Sequence, residues 1–193
     1  PDGTPKVTSG TTKAGATTAI AVSEGMTFAD GTPESTVTFE MAKILKDELL
    51  SRGYNVLMIR DGSDVQLDNI ARTVIANNVA SAHIALHWDS TTADKGAFYM
   101  GVHEVDSYRS MEPVASNWKK HEALGKSLIN GLSSNGTKIF SKGRMEMDLT
   151  QTSYSTVPSI DIELGDKTSN HGNDELKKLS KGLADGIDSY FGR

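Results

Sequence analysis

The sequence predicts an α/β fold: a single domain with a mostly parallel, twisted sheet and helices on both faces. Short apolar runs suited to buried strands alternate with longer stretches at helical spacing. Glycine, proline and Asx-rich breakers separate them, as connections in such folds require. The 193 residues are enough for one substantial core, and no internal repeat divides them.

Residues 1–18 are rich in Thr, Gly, Ser and Lys with almost no large apolar side chain, so they read as a linker or tail. The domain then spans residues 19–193. Residues 19–22 form a first short apolar run, expected as a strand, and 23–33 a loop broken by Gly25, Gly31 and Pro33. Ser35 or Thr36 is placed to cap the first helix, whose apolar face is Val37, Met41, Ile44, Leu45 and Leu49. Gly53 stops it. Residues 54–60 are expected as a strand, with Asp61-Gly62 as a turn. Leu67, Ile70, Ala71, Val74 and Ile75 make the apolar face of a second helix. Strands are expected over 83–87 and 97–102. A third long helix presents Val114, Trp118, Leu124, Leu128 and Leu132. Residues 133–143 read as loop and a short strand, turning at Asn135-Gly136. Another strand covers 157–163, and Leu176, Leu179, Leu183, Ile187 and Tyr190 mark a closing helix.

The net charge of −5 comes with no basic run or stripe, which argues against nucleic acid as a partner. No apolar run approaches the roughly 18 residues that span a bilayer, so membrane insertion is not expected. The chain contains no cysteine, so a metal site would have to use histidine and carboxylate. Lack of cysteine also fits an exported bacterial protein. The proposed core uses the apolar helix faces fully, and a monomer is the expectation.

Ligands of open α/β sheets sit beyond the carboxyl ends of strands. Ser23, His87 and Glu163 stand at or just past such ends. His87 is either a hydrogen-bonded core histidine or a neutral imidazole ligand for zinc. Glu163 ends a buried strand; partial desolvation there raises a carboxyl pKa and suits a general acid or base, unless Lys167 or Arg144 pairs with it. Glu34, just before the first helix, reads locally as a helix-dipole partner, and Glu40 as a solvated position. His103, His121 and His171 are expected on the surface. His83 shares a strand face with His87 but lies roughly 13 Å from it, too far to share an ion.

Taken together and in order, these pieces resemble the zinc-dependent N-acetylmuramoyl-L-alanine amidases, the amidase 3 family of peptidoglycan hydrolases, from about Ala19 to Phe191. Glu34-Ser35-Thr36-Val37-Thr38-Phe39-Glu40-Met41-Ala42 resembles the family's ligand Glu and following helix. Arg60, Leu67, Arg72 and Ala76-Asn77 resemble its strand-and-helix signature. His83-Ile84-Ala85-Leu86-His87 resembles the strand ending in a ligand His. Pro158 to Glu163, with Gly165 and Asn170, resembles the strand ending in the catalytic Glu. One piece departs. Where the family has Asp-Pro-Gly-His-Gly, this chain has Ala21-Val22-Ser23-Glu24-Gly25, so Glu24 stands at the first ligand histidine.

The resemblance implies one divalent ion, zinc or another metal, held by Glu34, His87 and Glu24, with Glu163 as the catalytic base. A second carboxylate ligand would make zinc a poorer Lewis acid, or move preference toward a harder ion such as manganese. Arg144 is a candidate to bind a substrate carboxylate. The implied reaction cleaves the amide between N-acetylmuramic acid and L-alanine of the stem peptide. The implied partners are the glycan strand and stem peptide of peptidoglycan, in the cell wall or periplasm of a bacterium or outside the cell. The alternatives are a catalytically impaired homologue that serves as a cell-wall-binding or regulatory module, and a metal hydrolase of another amide or ester.

Overall fold

A computed structural model describes residues 4–5, 18–19, 25–62 and 65–193. Its sheet is built on one strand, β6 (Ser159–Asp166), which lies between β3 (His83–Asp89) and β4 (Ala97–Gly101), with β5 (Ile139–Glu146) beyond β4. β3 and β6 are parallel, as are β4 and β5, and only the β4–β6 pair is antiparallel. The mostly parallel sheet expected from the sequence is therefore present. Two further short strands, β1 (Thr4–Pro5) and β2 (Thr18–Ala19), pair antiparallel apart from it. The expected strand over 19–22 lies, beyond Ala19, outside the described residues.

Register decides which side chains share a face. Ile160, Ile162 and Leu164 alternate with Asp161 and Glu163 along β6, and all three apolar residues are buried. Tyr99 sits opposite Ile162 and joins them. Three helices cover this face: α1 (Glu34–Ser51), α4 (Val114–Ser134) and α6 (Asn173–Phe191). Val37, Met41, Leu45, Leu124, Leu128, Leu132, Leu179 and Leu183 meet the strands in one cluster. Each such side chain contributes about 1.5–3 kcal/mol on burial. α4 and α6 approach closely enough that a Cβ on Gly131 would lie 2.2 Å from the Gly182 carbonyl oxygen. Ser127 Oγ donates to the Gly186 carbonyl at the same crossing, 2.8 Å.

The opposite face carries His83, Ala85 and His87 of β3 beside Ser159, Asp161 and Glu163 of β6. Phe98, beside Glu163 in register, is buried there against Phe140, while the covering at the N-terminal end of β6 is polar. Gln151 of α5 (Thr150–Tyr154) donates to Ser159 Oγ and to the Ile160 carbonyl, 2.9 and 3.0 Å. α2 (Asn69–Val79) is tied to the chain around α5 through Asn77, which donates to the Tyr154 carbonyl and accepts from Thr156 N–H. The remaining helix, α3 (Asp106–Arg109), packs against α4. Helices thus lie on both faces, while the C-terminal half of the polar face stays open at His87, whose side chain is 45 % exposed.

Several local expectations change. α1 starts at Glu34 and not after it: Pro33 takes the N-cap position without a side-chain cap, because its fixed φ of −66° already suits the entry. Residues 54–60 form no ladder among the described residues; Val56 packs on the core while Leu57 is 60 % exposed. Alternation there records one-sided burial without a strand partner. In α2 the buried residues are Thr73 and Ala76, and Ile70 and Val74 are exposed, because the helix is held by Asn77 and by the Asp68 cap rather than by an apolar seat. His121, expected on the surface, is fully buried in α4, where its Nδ1 accepts from Ser159 N–H at 2.9 Å. Helical phase places it on the inner side with Leu124 and Leu128.

Burial pushes the imidazoles of His83 and His121 down to about 4, and the Arg72 charge adds to the effect at His83. Both are neutral in the folded chain and titrate near 6.5 once unfolded. The unfolded state therefore binds more protons between pH 6.5 and 4, and stability falls as pH drops through that window. Thermal melts should show it, on the order of 1–3 kcal/mol per histidine, with a shallower slope for His121→Gln. At the helix crossing, Gly131→Ala is expected to cost about 1–3 kcal/mol or more in denaturant unfolding, since backbone and not a flexible side chain blocks the added methyl.

Candidate functional site

Glu34 is the first residue of α1, yet its side chain turns inward and is buried. Met26 N–H donates to Oε2 at 2.8 Å and Trp88 N–H to Oε1 at 3.0 Å. One carboxylate thereby joins the loop before α1 to strand β3. The loop is seated from both sides. Ala29 N–H donates to the Lys167 carbonyl, and Phe28 packs between Trp88 and His171. Gly25, at φ +78°, passes so close that a Cβ there would fall 2.5 Å from Glu34 Oε2.

His87 Nδ1 lies 3.3 Å from Glu34 Oε1. Across the β3–β6 register His87 is directly beside Glu163, and its Nε2 is 3.6 Å from Asp161 Oδ2. One imidazole is thus ringed by three carboxylates. Asp161 Oδ1 and Glu163 Oε2 are buried and have no hydrogen-bond partner.

Electrostatics follow from that grouping. Burial pulls the Glu34 carboxyl up, but hydrogen bonds from His87, Met26 and Trp88 leave it below its ordinary value. The Asp161 charge raises the His87 imidazole to about 10 against the opposing effect of burial, with Glu34 and Glu163 adding to the rise. The half-open ring lets solvent screen part of this field. Burial, then the neighbouring Asp161, pushes Glu163 up to about 8, and burial also raises Asp161. Fully ionised, the three carboxylates would carry more negative charge than the one imidazole balances.

That excess, together with two orphaned buried oxygens, suits a divalent cation. The Glu34–His87 pair suits it in shape as well. Ligands about 2.0–2.1 Å from a tetrahedral ion stand about 3.4 Å apart, close to the observed 3.3 Å. Among the described residues, no three His, Asp or Glu side chains converge as a complete ligand set. Glu24, expected as a further ligand, lies outside the described residues.

Arg144, expected to meet a substrate carboxylate, is tied into the protein itself. Its Nε and Nη2 donate to both oxygens of Glu122, its Nη1 to Glu146, and its Nη2 also to the Val102 carbonyl. Glu122 in turn accepts from Tyr99 Oη, so the guanidinium fastens α4 to β4 and β5. Glu163 pairs with neither Arg144 nor Lys167 among the ion pairs of the described residues. Asp161 was not singled out from the sequence as a site residue. Period-two alternation across Asp161-Ile162-Glu163, which puts both acids on one face, was the signal that could have found it.

The raised Glu163 carboxyl carries a prediction for the metal-free protein. A group whose pKa rises on folding stabilises the fold below its unfolded value, near 4.5, and that stability is lost as pH climbs toward about 8. Melts in excess chelator should decline over this window, and Glu163→Gln should flatten the decline.

Residues 10–189 match the amidase 3 family, described as N-acetylmuramoyl-L-alanine amidase. Comparison with curated protein sequences finds no match. Among solved structures, Ami1 from Mycobacterium smegmatis, an N-acetylmuramyl-L-alanine amidase, superposes with TM-score 0.76 at 16% identity, over 97% of this chain and 88% of that one. Apo Ami1 from Mycobacterium abscessus gives 0.73 at 17%, over 96% and 89%. AmiC2 of Nostoc punctiforme gives 0.70 at 20%, over 88% and 91%. At these identities the likeness is one of fold. The match over residues 10–189, on a sheet that sets Glu34, His87 and Glu163 around one opening, places the chain in the N-acetylmuramoyl-L-alanine amidase family.

Proposed function

We propose that the chain is a peptidoglycan hydrolase that cleaves the amide bond between N-acetylmuramic acid and the L-alanine of the stem peptide. The observation that carries this reading is the Glu34–His87 pair at 3.3 Å with Glu163, whose Oε2 is buried and unpartnered, next to it in register. Glu34 and His87 would hold zinc or another divalent ion, with Glu24 as a third donor. Bound there, the ion supplies Lewis-acid polarisation of the scissile carbonyl.

The chain's own residues do the rest. Glu34, clamped by two backbone N–H groups, keeps its oxygens in place without help from substrate. Glu163 needs to be ionised to act as a base, and a cation beside it favours the ionised form. It then takes a proton from the attacking water and returns it to the leaving amine. The products are the lactyl carboxylic acid of the muramoyl unit and a peptide with a free L-alanine amine. The substrate places the protein at the bacterial cell wall, and no helix among the described residues is long and apolar enough to cross a membrane.

Release of stem peptides from purified sacculi by metal-replete protein tests the reading. Activity should fall at least about 100-fold in Glu163→Ala. Elemental analysis of wild type and Glu24→His distinguishes the donors: stoichiometric metal in both leaves the wild-type site competent, and metal in the variant alone marks it as deficient. Fully loaded protein that releases no peptide would instead favour a wall-binding or regulatory module.

A further inference from the structure

Asp161 has no place in the reaction as described, yet it is among the most unusual groups in the molecule. It sits on a central strand, its side chain is 15 % exposed, and its Oδ1 is buried without a partner. A structural carboxylate would hold a backbone N–H, a hydroxyl or a guanidinium, as Glu34, Glu122 and Asp166 do. Asp161 holds none of these. The side chain it faces is His87, with Oδ2 3.6 Å from Nε2. Its neighbour in register is Ala85, which is too small to fill the space between strand and ring.

The two nitrogens of His87 therefore meet different carboxylates, Glu34 at Nδ1 and Asp161 at Nε2. A neutral imidazole carries one N–H and one lone pair. A ligand nitrogen must offer the lone pair. With Glu34 as the sole neighbouring carboxylate, the proton would be drawn to Nδ1, the nitrogen that a shared cation needs. A carboxylate at Nε2 competes for that proton. Ligand histidines commonly pass their second ring N–H to such a group, which fixes both tautomer and ring angle.

We propose that Asp161 is a positioning residue for the metal centre: its carboxylate holds the His87 proton at Nε2 and sets the ring so that Nδ1 faces the cation shared with Glu34. The assignment rests on the amidase reading above, in which Glu34 and His87 are ligands. It adds a residue that touches neither substrate nor ion.

Zinc is titrated calorimetrically into metal-free wild type, Asp161→Asn and Asp161→Leu. Both variants should bind about 10–100-fold more weakly. Metal-free, both variants should still unfold cooperatively, because Asp161 fastens no backbone group and faces only His87. Long-range proton–nitrogen spectra of the zinc-loaded proteins report which ring nitrogen is protonated. Wild type should show His87 protonated at Nε2, and the variants a mixture. Variants that bind zinc as tightly as wild type with the same tautomer overturn the proposal. Loss of fold in metal-free Asp161→Asn overturns it too, since that makes Asp161 structural. Wild type that takes up neither zinc nor manganese refutes the metal-site reading itself, a result distinct from equal binding by all three proteins.

Discussion

The architecture depends on what the Glu34 carboxylate holds. It sits where a helix begins, a loop returns and a strand ends, and it accepts from the backbone of both the loop and the strand. Burying a carboxylate is costly unless hydrogen bonds replace its water. Here the replacements come from Met26 and Trp88 and from the His87 ring, so desolvation and loop placement are solved by one group. Gly25 follows from the same constraint, because any side chain there would collide with the carboxylate.

The sheet separates two jobs by side-chain alternation. One face gathers nearly all the large apolar residues of α1, α4 and α6. The other collects acids around a histidine and leaves their outer end accessible. The apolar face supplies the surplus stability against which like charges can be kept within a few ångströms of one another. β6 contributes to both, with Ile160, Ile162 and Leu164 pointing one way and Asp161 and Glu163 the other, and β3 does the same with Ile84 and Leu86 against His83 and His87.

Much of this was legible in the sequence. The apolar faces of α1, α4 and α6 follow helical spacing and are the ones buried. Glu34, His87 and Glu163, joined by the resemblance, stand together, although β3 and β6 run on past His87 and Glu163 to Asp89 and Asp166. What escaped has physical causes. Residues 54–60 alternate like a strand, but a ladder depends on a partner that a local pattern does not contain. Ile70 and Val74 of α2 face solvent because Asn77 and a cap hold that helix, and hydrogen-bond tethers leave no hydrophobic period to read. His121 looked like a polar residue on a helix surface, and its burial depends on where α4 crosses Ser159. Arg144 was read as a candidate for a substrate carboxylate or a partner of Glu163, while its actual partner Glu122 lies in a different element.

The place of β6 in the chain has a consequence for how the molecule assembles. It is last among the strands in sequence and second in the sheet, between segments about sixty to eighty residues earlier. Until it docks, β3 and β4 have no shared neighbour and the two halves of the sheet stay apart. A chain emerging from the ribosome therefore carries Glu34 and His87 before Glu163 follows, 76 residues after His87. Long-range strand pairings of this kind slow folding. They also tie formation of the acid cluster to completion of the sheet.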